Sequence, residues 1–186
     1  MSNPFERPKA PSKGDRNPEA IYLSVGRALS TWEHTERSFA GLFAGIVSPS
    51  KGSFPARRAY GTIISQKNRR EMIEKASEAF FAFFKDEDLE KALKETLNFY
   101  SDAAARRNDI AHGIVLQPKL GAGYFLTANL YTSKRKLYAD HPYYYNSQII
   151  DKFSDSFSSL SGSASHIINR MAKLFAASPK TPRERY

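Results

Sequence analysis

Residues 86–113 read DEDLEKALKETLNFYSDAAARRNDIAHG. Asp86, Glu87 and Asp88 put negative charge where the dipole of a starting helix favours it. Leu89, Leu93, Leu97, Tyr100 and Ala104 then recur every three or four residues, which sets them in one stripe along a helix. Gly113 is the helix stop. A long helix with a single apolar stripe needs further helices to cover it, so this stretch points to a helical bundle.

The flanking segments supply those partners. Asn17-Pro18-Glu19 is a helix start, with an Asn cap and proline at the first helical position. From there Ile21, Val25, Leu29, Trp32, Phe39, Phe43 and Ile46 keep helical spacing up to Ser48-Pro49. A second helix opens at Ser53-Phe54-Pro55 and reaches Phe84, apolar at Ile63, Ile64, Ile73, Ala76, Phe80 and Phe83. Its middle, Ser65 to Glu71, is wholly polar, which implies a kink or a projection past the core. Asn146-Ser147 caps a last helix ending at Ser178-Pro179. Ile150, Phe153, Phe157, Leu160, Ala164, Ile167, Met171 and Leu174 form its stripe. Seven serines between Ser154 and Ser165 cover its other faces, as in ordinary bundle core or at a close helix approach.

Between the third and last helices the pattern changes. Residues 114–145 carry Pro118, Gly121, Gly123 and Pro142 among short aromatic and β-branched runs. Ile114-Val115-Leu116 and Tyr124 to Tyr131 read as strands, with a third piece near Leu137-Tyr138. The fold class is therefore mainly all-α: a bundle of four long helices with a small β-hairpin or meander inserted before the last. A single domain covers residues 18–178. The proline-rich tails, 1–17 and 179–186, read as disordered.

Composition bounds the chemistry. A chain of 186 residues, 41% hydrophobic, can bury one good core. It has no cysteine, which excludes disulfides, thiolate metal sites and cysteine nucleophiles. No apolar run matches a signal peptide or a bilayer span, so the expectation is a cytoplasmic protein with no membrane partner. Net charge is +9 and the pI about 9.7, which favours acidic partners, nucleic acid foremost. The two tails hold +4 of that charge. The main basic block is residues 51–70, with Lys51, Arg57, Arg58, Lys67, Arg69 and Arg70 and no acidic residue. Lys134, Arg135 and Lys136 form a second set at an expected loop tip. Both sets read either as solvated faces or as a surface that tracks phosphates. Six tyrosines between Tyr124 and Tyr145 suit base stacking beside these cations, and equally suit strands.

The end of the third helix concentrates the chemistry. Arg107, Asn108 and His112 bring a permanent cation, an amide and a titratable imidazole within six residues, groups suited to binding or cleaving a phosphodiester. In the stripes, Arg107 extends the inward row after Ala104, and Glu36 falls between Trp32 and Phe39. An inward charge must be paired, so Glu36 and Arg107 are expected to pair with each other or to face a shared polar pocket, with Glu36 as a supporting residue or the two as a plain salt bridge. Asn108 and His112, four apart, share a helix face, whereas Arg107 and His112 lie about 140° apart on an ideal helix. Arg107 and His112 reach one phosphate only if the helix unwinds near Gly113 or two copies meet.

The pattern R-N-x-x-x-H at the end of a long helix resembles the signature of the HEPN superfamily of helical nucleotide- and RNA-binding proteins. The resemblance implies a metal-independent RNA endonuclease, a toxin or antiviral effector, with no cofactor and no metal ligands. It also implies a homodimer in which two motifs line one cleft. Arg107, Asn108 and His112 would then be the catalytic groups, and RNA or a nucleotide the ligand. The alternative is a non-catalytic HEPN-like module that binds nucleotide, nucleic acid or protein. Toxins of this superfamily paired with a nucleotidyltransferase antitoxin often carry a tyrosine two places after the motif histidine. Here that place is Ile114, which argues against that arrangement.

Overall fold

Each long helix is opened by a side chain that accepts from its first free N–H groups, the usual remedy for donors left without a partner. Asn17 Oδ1 accepts from Ala20 N, Asp86 Oδ1 from Leu89 N and Asn146 Oδ1 from Ile149 N. The computed structural model describes residues 3–48, 54–118, 121–128 and 143–177. Among these the chain is mainly helical, with α1 Pro18–Val47, α2 Phe54–Gly61, α3 Gln66–Phe83, α4 Glu87–Ala111 and α5 Ser147–Ala177. A three-stranded antiparallel sheet precedes α5, in the order β1 Gly113–Leu116, β2 Phe125–Ala128, β3 Tyr144–Tyr145. The mainly helical fold with a small sheet before the last helix is thus as expected.

The chain forms two compact units, Met1–Glu33 with Asp102–Ser158, and His34–Ser101 with Ser159–Tyr186. Helices α1, α4 and α5 each contribute one part to both. The second unit is a bundle of helix segments. Its core is built largely from the expected stripes: Phe39, Leu89, Leu93, Leu97, Tyr100, Leu160, Ala164 and Met171 are buried, and Leu42 is buried where the stripe had Phe43, which is only half-buried. Phe39 stacks on Tyr100 at 3.9 Å, and the Ser38 and Ser161 hydroxyls bond at 2.7 Å, so α1 and α5 approach closely there.

One helix expected here is two. The polar middle of the second segment breaks rather than kinks, leaving Ile64 96% exposed between α2 and α3. The reason is local. Ser65 takes an extended conformation and its hydroxyl accepts from Asn68 N, restarting the helix as an N-cap. Arg69 Nε donates to the Ile63 carbonyl at 2.7 Å, satisfying a group the break sets free.

The first unit holds the sheet, the end of α4 and a correction. Residues 3–17, expected to be a disordered tail, are packed. Phe5 is 3% exposed and stacks on Phe157 of α5, whose ring also meets Trp32 edge-on. Asp15 forms a β-bridge with Tyr124, and its carboxylate accepts from the Ser147 backbone N–H and hydroxyl at 2.7 Å each. That carboxylate lies at the N-terminus of α5, where the dipole favours it. The crossing is made by two glycines: a Cβ on Gly14 would meet Tyr124 O at 2.4 Å, and Gly123 has φ +85°. The third strand is Tyr144–Tyr145, while the expected piece near Leu137-Tyr138 and the tail 179–186 lie outside the described residues.

Phe5→Ala should therefore act as a core truncation. The expected loss is about 3 kcal/mol, or a melting temperature lower by roughly 6–12 °C in calorimetry. An unchanged melting temperature would show that the segment does not dock.

Candidate functional site

The end of α4 stays regular to its last turn. His112 N donates to Asn108 O at 3.1 Å, and β1 begins at the next residue. Gly113 makes that junction possible, because a Cβ there would sit 2.8 Å from the Leu126 side chain and 3.0 Å from Asp109 O. An intact helix keeps Arg107 and His112 about 140° apart. Asn108 and His112 are exposed and share a face, while Arg107 is half-buried. Arg107 Nη1 donates to Asn108 Oδ1 at 3.1 Å, and its Nε is buried with no hydrogen-bond partner among the described residues. Within one chain the three groups are neighbours along α4, but Arg107 and His112 do not converge.

The inward charge on this turn is Arg106, not Arg107. Its side chain is 11% exposed and pairs with Asp109 Oδ2 at 3.1 Å. Ile110 carries the signal for this phase: counting back four residues from this buried side chain reaches Arg106, and counting forward three from buried Ala103 does the same.

Asp109, inside the motif, is the most heavily bonded residue of the turn. Arg7 grips its carboxylate in a fork, Nη2 to Oδ1 at 2.9 Å and Nε to Oδ2 at 3.2 Å. Tyr145 donates to Oδ2 at 3.1 Å, and Tyr143 donates to the Asp109 carbonyl at 2.6 Å. The Arg7 guanidinium also lies over the Tyr143 ring at 5.4 Å. Burial alone would lower the Arg7 pKa, but the hydrogen bond and charge of Asp109 outweigh it and raise it. Burial, then the Asp109 charge, pushes the Tyr145 phenol up to about 12. None of Arg7, Arg106, Asp109, Tyr143 or Tyr145 was legible as a cluster, since Arg7 is 102 residues from Asp109 in sequence.

Glu36 is buried and paired as expected of an inward charge, but its partner is Arg69 and not Arg107. Gln66 Nε2 and the Tyr100 hydroxyl also donate to it, the latter at 2.8 Å, and Tyr60 completes the chain 3.0 Å from Tyr100. Arg69 is raised by Glu36 despite the opposing pull of burial, and Tyr60 and Tyr100 are raised well above their usual range, chiefly by burial.

This splits the basic block. Arg69 is taken by Glu36. Arg70 is taken by Glu74 at 2.9 Å, Ser101 at 3.1 Å and Asn98 at 2.9 Å, so two of the six cations of this block are in structural pairs, and Lys51 lies outside the described residues. Arg57, Arg58 and Lys67 are exposed and have no ion pair among the described residues. Lys134, Arg135 and Lys136 lie outside those residues. A pocket of about 320 Å³ opens beside Arg7 and Arg106. Glu6 and Asp102 also line it, so its two cations are balanced by two carboxylates. Among the described residues no group of three or more His, Asp and Glu is placed to hold a metal ion.

Two measurements test these networks. Glu36→Gln should destabilise the fold by about 3 kcal/mol in denaturant titration, because Arg69 is left buried without its counter-charge. An unchanged midpoint would place Glu36 in solvent. Tyr145 has its folded pKa raised above the ordinary value of 10, so its contribution to stability is present below pH 10 and is lost toward pH 12. The melting temperature should fall over that window, and Tyr145→Phe should make the fall smaller.

Comparison with models of known protein families, with curated proteins and with solved structures returns no match.

Proposed function

We propose that this chain is a HEPN-like, metal-independent RNA endonuclease that works as a homodimer, with Arg107, Asn108 and His112 as its catalytic groups. The observation that carries the reading is the end of α4: an exposed His112 and a polar Arg107–Asn108 pair stand at the terminus of an unbroken helix. The resemblance of R-N-x-x-x-H supports the choice of substrate. The reading places the protein in the cytoplasm, as a toxin or antiviral effector.

The chemistry needs only the groups present. The ribose 2′-OH attacks the adjacent phosphorus and the P–O5′ bond breaks, leaving a 2′,3′-cyclic phosphate and a 5′-OH. His112 serves as general base for the 2′-OH proton or as general acid for the leaving oxygen. Arg107 stabilises charge on the phosphoryl oxygens, and Asn108, already bonded to Arg107, orients the guanidinium. Of the basic block, Arg57, Arg58 and Lys67 are exposed without an ion pair among the described residues and are available to meet phosphates. Because one regular helix turns Arg107 and His112 apart, the composite site takes its groups from two chains.

That same divergence favours a second reading, a HEPN-like module that binds nucleotide, nucleic acid or protein without cutting. Labelled single-stranded RNA in excess chelator separates the two. Wild type should cleave it, and His112→Ala should lower the rate at least about a hundredfold. Mixing Arg107→Ala with His112→Ala chains should restore activity that neither has alone. Equal cleavage by wild type and His112→Ala, or a monomer at micromolar concentration by light scattering, would overturn the endonuclease dimer. Binding without cleavage would select the module.

A further inference from the structure

The segment before α1 crosses the first unit and delivers one charged side chain to the motif. Its course is held at both ends: Phe5 is buried against Phe157, and Asp15 bridges Tyr124 and caps α5 through Ser147. Between these anchors Arg7 reaches the Asp109 carboxylate in a fork. Asp109 follows Asn108 directly and precedes His112 by three residues, so it shares the last helical turn with both. Among the described residues, no other side chain from Arg107 to His112 is bonded by a charged group from a separate segment. Arg107 bonds only to its neighbour Asn108 among the described residues, and His112 is exposed.

We infer that Arg7 is a positioning residue for the R-N-x-x-x-H turn, acting through Asp109. The inference rests on the endonuclease reading for its activity arm. The physical reason is the position of Asp109 on the last turn of a helix, where fraying is easiest. Tyr143 holds its carbonyl at 2.6 Å, and Arg7, Arg106 and Tyr145 hold its carboxylate. A turn tied at both backbone and side chain keeps Asn108 and His112 at fixed directions, and a positioned acid–base group depends on direction as much as on proximity. Arg106 lies on the same helix as Asp109, so it moves with the turn. Arg7 is carried by a separate segment and ties the turn to the rest of the unit. The fork matters too, because a guanidinium bonded twice fixes orientation where a single ammonium does not.

The test compares full-length wild type, Arg7→Ala and Arg7→Lys. In RNA cleavage, Arg7→Ala should lower kcat about tenfold with KM within about twofold, and its circular dichroism should match wild type. Arg7→Lys, which keeps the charge and loses the fork, should recover part of the loss. A folded Arg7→Ala with wild-type kcat would overturn the inference, as would identical losses in the two variants. The second arm is independent of catalysis. Amide resonances of Asn108 to His112 should shift or broaden in Arg7→Ala, while those of α3 stay in place. Unmoved resonances on the motif turn would overturn the inference. If wild type does not cleave RNA, the endonuclease reading fails, and this arm alone decides the positioning role. Should Arg7→Ala fail to fold, Arg7→Lys and Arg7→Gln carry the same two comparisons.

Discussion

A carboxylate on an inward helix face must be neutralised and hydrogen-bonded, since an isolated buried charge costs several kcal/mol. Two such carboxylates organise this protein, one in each compact unit. Glu36 is met by Arg69, Gln66 and Tyr100, and Asp109 by Arg7, Arg106 and Tyr145. In both cases one arginine comes from a segment far away in sequence, and the chain path of that segment follows from the need to deliver it.

The consequences reach beyond the pairs. Arg69 sits just after the break between α2 and α3 and also caps the freed Ile63 carbonyl, so one guanidinium serves the pair and the break together. Arg7 sits on the N-terminal segment two residues after Phe5, and the segment is held by Phe5 and Asp15. Two stacked tyrosines stand beside the Asp109 cluster, Tyr143 on Tyr145 at 4.6 Å, and each donates a hydrogen bond to Asp109.

The motif turn is therefore rigid at its inward side and open at its outward side. Arg106 and Asp109 face in, whereas Asn108 and His112 face solvent with Arg107 at the margin. This division suits a catalytic turn, because inward groups supply orientation and outward groups remain free to meet substrate. The regular helix end that carries His112 also turns it away from Arg107.

Much of the fold was legible locally. The stripe from Leu89 to Ala104, the α5 stripe from Ile150 to Met171 and the Asn and Asp caps all follow from spacing within a few residues, and helices are made by such contacts. The break at Ser65 was half legible, as a polar run, but not as a stop. The phase at Arg106 and Arg107 is easily misread because two adjacent arginines fit either side of one stripe, and Arg106 is the one whose face runs between buried Ala103 and Ile110. The docked segment before α1 was read as disordered because its prolines and mixed charges lack any period, and its order comes from Phe157, Asp109, Tyr124 and Ser147, none of them nearby in sequence. Local sequence is enough for α1, α4 and α5, for the strand region and for the motif with its angular spread. Tertiary structure alone decided which arginine meets which carboxylate, since pairing across 33 or 102 residues depends on where the chain returns and not on any local pattern.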